Sequence, residues 1–151
     1  MSPIDRRRRR LLAVSAAGAV AIATGTRAET WPSTPDLAKL LGERPLQSGR
    51  VHIEIPKLAD NGNSVPLAIT VDSPMTPTDR VVALHVYSER NPRPRIASLE
   101  LGPDVGRAEL QTRIRLAGTQ HIVAVAQMSD GSVWGATEEV IVTQSACTDD
   151  P

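Results

Sequence analysis

From Val51 onward, apolar side chains return at every second position. Val51, Ile53 and Ile55 alternate with His52 and Glu54; Leu67, Ile69 and Val71 repeat the pattern, as do Val82, Leu84 and Val86. The clearest case is Leu110, Thr112, Ile114 and Leu116 against Glu109, Gln111, Arg113 and Arg115. A period of two lines one face of a strand with apolar groups, whereas a helix with this pattern would have no apolar stripe. Further strands are expected at 96–101, 121–126, 133–136 and 138–143. Turn signals separate them: Ala59–Asn63, Ser73–Asp79, Asn91–Pro94, Gly102–Asp104, Gly118 and Asp130-Gly131. At Asn61-Gly62 the expected reason for the glycine is a positive φ. About seven short strands at this spacing predict an all-β sandwich over residues 50–143. Its core must be aliphatic, because the chain has no Phe and only Trp31, Trp134 and Tyr87 as aromatic residues.

Two segments before residue 50 differ from this. Residues 1–28 carry the basic run Arg6–Arg10, an apolar stretch from Leu11 to Thr24 and the small-residue pattern Thr26-Arg27-Ala28. This is the composition of an export signal, cleaved after Ala28 or, as a second option, after Ala23; the apolar stretch is too short to span a bilayer. Arg8-Arg9-Arg10-Leu11-Leu12 fits a twin-arginine signal, although five arginines in a row satisfy that pattern easily. The expected location is therefore periplasmic. Residues 29–49 form a leader. Ser33-Thr34-Pro35-Asp36 supplies a hydroxyl cap, a first-turn proline and an acid near the positive end of a helix dipole. Leu37, Leu40 and Leu41 share one face and Gly42 ends the helix, with Trp31 placed to anchor the leader in an apolar groove.

Charge and composition exclude several functions. The full chain balances 17 basic against 17 acidic residues. Removing a segment with six arginines and one acid leaves 11 basic and 16 acidic, a net charge of −5. Nucleic acids and anionic membranes select basic surfaces, so neither is an expected partner. There is no Gly-rich phosphate loop and no recognisable Ser–His–acid motif. His52, His85 and His121 lie in separate predicted strands. A copper site of one Cys, two His and a Met would ordinarily take a His and a Met from just after the cysteine. Here Thr148-Asp149-Asp150-Pro151 follows, and no cofactor is expected. Glu138 and Glu139 read as a solvated pair. Arg113 and Arg115 read as a solvated face or a polar patch for a partner.

Cys147 is the only cysteine. It follows the last predicted strand and is flanked by Ser145, Ala146, Thr148 and Asp149, which give it little apolar surface to bury against. Residues 144–151 are expected to be a mobile tail. Four residues from Thr143 would carry the sulfur on the order of 14 Å beyond the sandwich. That suits a substrate presented to other enzymes, not a catalytic group held rigidly.

Four segments recur in this order and spacing in a known family. They are Ala59-Asp60-Asn61-Gly62-Asn63-Ser64-Val65-Pro66, Glu89-Arg90-Asn91-Pro92-Arg93-Pro94, Thr112-Arg113-Ile114-Arg115-Leu116 and Gln127-Met128-Ser129-Asp130-Gly131. Through them the chain resembles the SoxY proteins, periplasmic sulfur carriers of thiosulfate oxidation, from Pro35 to Cys147. The resemblance implies an immunoglobulin-like sandwich, a heterodimer with a SoxZ-like subunit, and covalent attachment of the sulfur substrate to Cys147. It also implies a c-type cytochrome complex that loads the thiol, and further enzymes that release sulfate and oxidise the sulfane sulfur. The carrier would turn nothing over itself. The chain departs from the family at its end. Where the family typically has Gly-Gly-Cys-Gly-Gly, this sequence has Ser145-Ala146-Cys147-Thr148-Asp149. The change predicts a stiffer arm. The following acids predict a thiol pKa above the usual ~8.5 where nothing basic is near, and slower loading. A divergent interaction module that binds a SoxZ-like subunit without carrying sulfur is the alternative expectation.

Overall fold

The computed structural model describes residues 31–32 and 34–146. The export-signal segment, Ser33 and residues 147–151 lie outside the described residues. Helix α1 spans Pro35–Leu41. Strands follow at β1 Leu46–Gln47, β2 Val51–Glu54, β3 Leu58–Ala59, β4 Val65–Val71, β5 Val81–Ser88, β6 Arg95–Glu100, β7 Glu109–Ile114, β8 Gln120–Met128 and β9 Val133–Val142. They form an immunoglobulin-like sandwich. One sheet has the order β1-β9-β8-β5-β6, with β3 also on β9; the other is β2-β4-β7.

The alternating residues do what a period of two requires. Val65, Leu67, Ile69 and Val71 of β4 face Leu84 and Val86 of β5 and Ile122, Ala124 and Ala126 of β8 in one aliphatic core between the sheets. The opposite face of the larger sheet is also buried. Tyr87, Val123, Val125 and Val133 pack under Leu37 of the helix, with Trp31, Leu40, Leu41 and Leu46 alongside. The leader is thus a third layer, and Trp31 sits in it as expected.

The helix starts and stops as its sequence predicts. The Leu37 amide donates to Thr34 Oγ1 at 3.2 Å, Pro35 occupies the first turn, and Gly42 closes the helix at φ 55°. A left-handed residue at that position is what glycine accepts without a Cβ penalty. Gly131, at φ 86°, serves the β8–β9 turn, with its amide donating to Met128 O.

Three expectations change. The strands expected at 133–136 and 138–143 are one strand, because β8 pairs with β9 without a break from Gln120↔Val140 to Gln127↔Val133. Two strands, β1 and β3, are additions to the expected set; at two residues each they are too short to show a period. Both lie parallel to β9, at Leu46↔Val133 and Leu58↔Ile141. Finally, Gly62 is not among the positive-φ residues. A Cβ there would stand 2.4 Å from Leu116 O, so this glycine serves a close backbone approach instead.

Ile122 in β8 is fully buried between the sheets. Replacing it with Ala removes buried methylenes from a packed core and should cost about 2–5 kcal/mol. Denaturant unfolding of Ile122→Ala checks this, and the midpoint should fall with little change in slope.

Candidate functional site

Strand β9 delivers the chain to one end of the sandwich, and residues 143–146 are held there by backbone hydrogen bonds. The Thr143 amide donates to Ala59 O at 3.1 Å, and its hydroxyl donates to Asp60 O at 2.8 Å. The Gly62 amide donates to Gln144 O at 2.8 Å. The Ala146 amide donates to Leu116 O at 3.1 Å, while the Leu116 amide donates to Gly62 O at 2.9 Å. Ser145 is exposed; its hydroxyl oxygen is 3.5 Å from the position a Gly118 Cβ would take. Gln144 and Ala146, expected to belong to a mobile tail from residue 144, are each hydrogen-bonded to the body through the backbone. Cys147, Thr148 and Asp149 lie outside the described residues.

The turn that holds Ala146 is itself built by the segment 89–94. Asn91 Nδ2 donates to Arg115 O at 2.8 Å. Asn91 Oδ1 accepts from the Ala117 amide at 2.9 Å and from Gln120 Nε2 at 3.0 Å. Gln120, only 2% exposed, accepts from the Arg90 amide through Oε1 and donates also to Gly118 O. Arg90 Nη1 donates to Thr119 O, and Thr119 Oγ1 accepts from the Val142 amide. Across the turn, Asn61 Oδ1 accepts from both the backbone and side-chain nitrogens of Asn63. Three of the four segments that carry the family resemblance therefore meet beneath Ala146. The fourth, 127–131, is the β8–β9 turn at the far end of both strands.

Charge around this root is partly basic. Arg113 donates to Ser64 Oγ at 2.6 Å, Arg90 holds Thr119, and Arg115 precedes Leu116. None of the three is in an ion pair with a described carboxylate. The expected polar patch of Arg113 and Arg115 thus adjoins the root of the tail. A groove of about 580 Å³ beside β2 and β4 lies further along the same sheet. It is lined by charges of both signs, Glu54 and Glu138 with Lys57 and Arg113, and so selects neither.

The histidines are dispersed. His52 Nε2 pairs with Asp72 Oδ2 at 2.7 Å, and His121 Nδ1 with Glu89 Oε2 at 3.0 Å. His85 Nδ1 meets Ser98 Oγ at 2.9 Å. The hydrogen bond from His121 holds the Glu89 carboxyl below its ordinary value. Burial pushes His85 below its ordinary 6.5, and Arg95 adds to the effect. Among the described residues no three His, Cys, Asp or Glu side chains are placed to share a metal ion. Glu138 is engaged by Lys57, while Glu139 pairs across the ladder with His121.

Sequence reasoning marks Asn61-Gly62 and Asn91 as turn residues without their contacts, and does not single out Gln120. The Asn61-Gly62-Asn63 signal is visible as a turn; nothing in it announces contacts to residues 116 and 144.

Comparison with known proteins gives one family and one fold. The family described as sulfur oxidation protein SoxY matches residues 37–147. No curated protein matches the chain. Among solved structures, a superoxide reductase (neelaredoxin) from Ignicoccus hospitalis superposes with a TM-score of 0.56 at 15% identity, covering 62% of this chain and 80% of its own. A superoxide reductase from Nanoarchaeum equitans gives 0.54 at 17%, covering 64% of this chain and 100% of its own. At these identities the likeness is one of fold.

The geometry sets two expected outcomes. Asn91→Ala strands the Ala117 amide and one Gln120 bond in a part-buried place, and should cost about 1–3 kcal/mol of stability by denaturant unfolding. The second concerns pH. As pH falls through 6.5, the unfolded chain takes up a proton at His85 that the folded chain still excludes, so stability drops below that pH. Unfolding midpoints for His85→Gln should fall less steeply over that window than those of the unaltered protein.

Proposed function

Because this chain belongs to the SoxY family, we propose that it is a covalent sulfur carrier with Cys147 as its attachment point. Family membership places it in sulfur oxidation as a carrier subunit that works with a partner subunit. The finer reading rests on one observation: β9 and the bonded segment 143–146 bring the chain to one pole of the sandwich, and the only cysteine is the next residue in the sequence. In this reading, the Cys147 sulfur bonds to the outer sulfur of thiosulfate. The thiol proton and two electrons leave, and a c-type cytochrome complex takes the electrons. A partner enzyme then adds water to the terminal sulfonate and releases sulfate, leaving a sulfane sulfur on the cysteine for further oxidation. The carrier holds and presents; its partners do the chemistry. Such presentation raises the local concentration of the bound group at a docked enzyme. The export-signal pattern of residues 1–28 supports a periplasmic setting and a twin-arginine route.

A second reading has an observation of its own. Leu58 and Ile141 are neighbours across the β3–β9 pairing and are 56% and 50% exposed. An apolar pair beside the arm, together with the non-glycine tail, favours an interaction module that binds a SoxZ-like subunit and carries nothing.

Intact mass separates the two. Incubated with thiosulfate and the oxidising cytochrome complex, the protein should gain a reductant-labile adduct of thiosulfate mass, and Cys147→Ser should gain none. A bare thiol in a preparation that still binds its partner subunit would replace the carrier with the interaction module.

A further inference from the structure

We propose that Gly62 is a positioning residue for the arm. By admitting the bond from Ala146 to Leu116, it fixes the arm's root at residue 146, not at the end of β9. The inference rests on the carrier reading only for what the arm is used for.

The constraint is one of space. The hydrogen bond that holds Ala146 runs from its amide to Leu116 O at 3.1 Å. A Cβ on Gly62 would lie 2.4 Å from that oxygen and 3.1 Å from that nitrogen. It would therefore press on both ends of the same bond. The third neighbour, Val142 Cγ1 at 3.1 Å, belongs to the last residue of β9 before the arm. Leu116 O and Ala146 N are backbone atoms and cannot rotate away as a side chain would. The same glycine also donates to Gln144 O and accepts from the Leu116 amide. Residue 62 is thus the junction of three backbone segments, and only a residue without a Cβ fits there.

The consequence is a change in reach. With Ala146 bonded, Cys147 is one residue from the fixed body and can move by only ~3.5 Å of chain; freed back to Thr143 it would have ~14 Å. The arm has a short setting and a long one, separated by a few backbone hydrogen bonds of the kind that open locally without global unfolding. A partner enzyme must approach the root or break these bonds.

The test uses the full chain without thiosulfate, so it stands whether or not sulfur is carried. Amide exchange at Ala146 and the mobility of a spin label on Cys147 are read together. In the unaltered protein Ala146 should be protected. In Gly62→Ala its exchange should quicken about tenfold, the scale of losing one or two backbone bonds, and the label should move faster. Gly106→Ala is the control, since a Cβ there meets nothing within 4 Å; it should change neither readout. Where Gly62→Ala fails to fold, Ala146→Pro removes the donor; its ring also fixes φ at residue 146, yet loss of the bond should still raise the label's mobility. An Ala146 amide that exchanges at the free-chain rate in the unaltered protein overturns the proposal. So does a folded Gly62→Ala, or an Ala146→Pro, with unchanged label mobility.

Discussion

Strand β8 is buried on both faces, and this requirement organises the molecule. Ile122, Ala124 and Ala126 point between the sheets, while Val123 and Val125 point the other way; none is more than 1% exposed. One sheet cannot cover two faces. The small sheet β2-β4-β7 covers the first, and the leader with its helix covers the second. The fit is close. A Cβ on Gly135, which pairs with Val125, would stand 3.0 Å from Leu46 Cδ1 and 3.1 Å from Ala124 O. The leader therefore presses directly on the ladder, and its removal would expose Tyr87, Val123, Val125 and Val133 together.

Much of this architecture was legible in the sequence, and the reasons are physical. The period of two in Leu67–Val71 reflects one buried face, in Leu110–Leu116 it is kept by full burial only at Ile114 and Leu116 with Thr112 exposed, and the helix was written in Thr34, Pro35, Leu37 and Gly42. The strand β8 was visible from Val123 and Val125 alternating with Ile122 and Ala124, although nothing local says that both sets are buried. Bonding between distant backbones could not be read in the same way. Gly62 to Gln144 and Ala146 to Leu116 are main-chain contacts with no side-chain signature. The same is true of β1 and β3, whose pairing with β9 depends on where the sheet edge falls. Asn91 is an intermediate case. A lone Asn before a proline reads as a loop, and its role in holding Arg115, Ala117 and Gln120 emerges only once those residues are adjacent.

The likeness to superoxide reductases illustrates how little a sandwich specifies. Those proteins and this one share a fold at identities of 15–17%. Here His52, His85 and His121 are taken up one by one, by Asp72, Ser98 and Glu89. This chain builds a polar knot at one pole from segments 59–66, 89–94 and 112–116. A common scaffold thus acquires its character from one end, which is the usual relation between fold and activity.

The parallel pairing of Leu46 with Val133 also ties the end of the leader to the start of the last strand. Residue 46 has no partner until residue 133 has been synthesised, and the final ladder of β9 waits on the same stretch. Contacts this far apart in sequence close late and slowly, because the intervening chain must be ordered first. Until then the second face of β8 lacks Val133 and the paired end of the leader at Leu46. A chain whose last strand has not yet docked would leave part of this apolar face uncovered, the kind of surface through which incompletely folded chains associate.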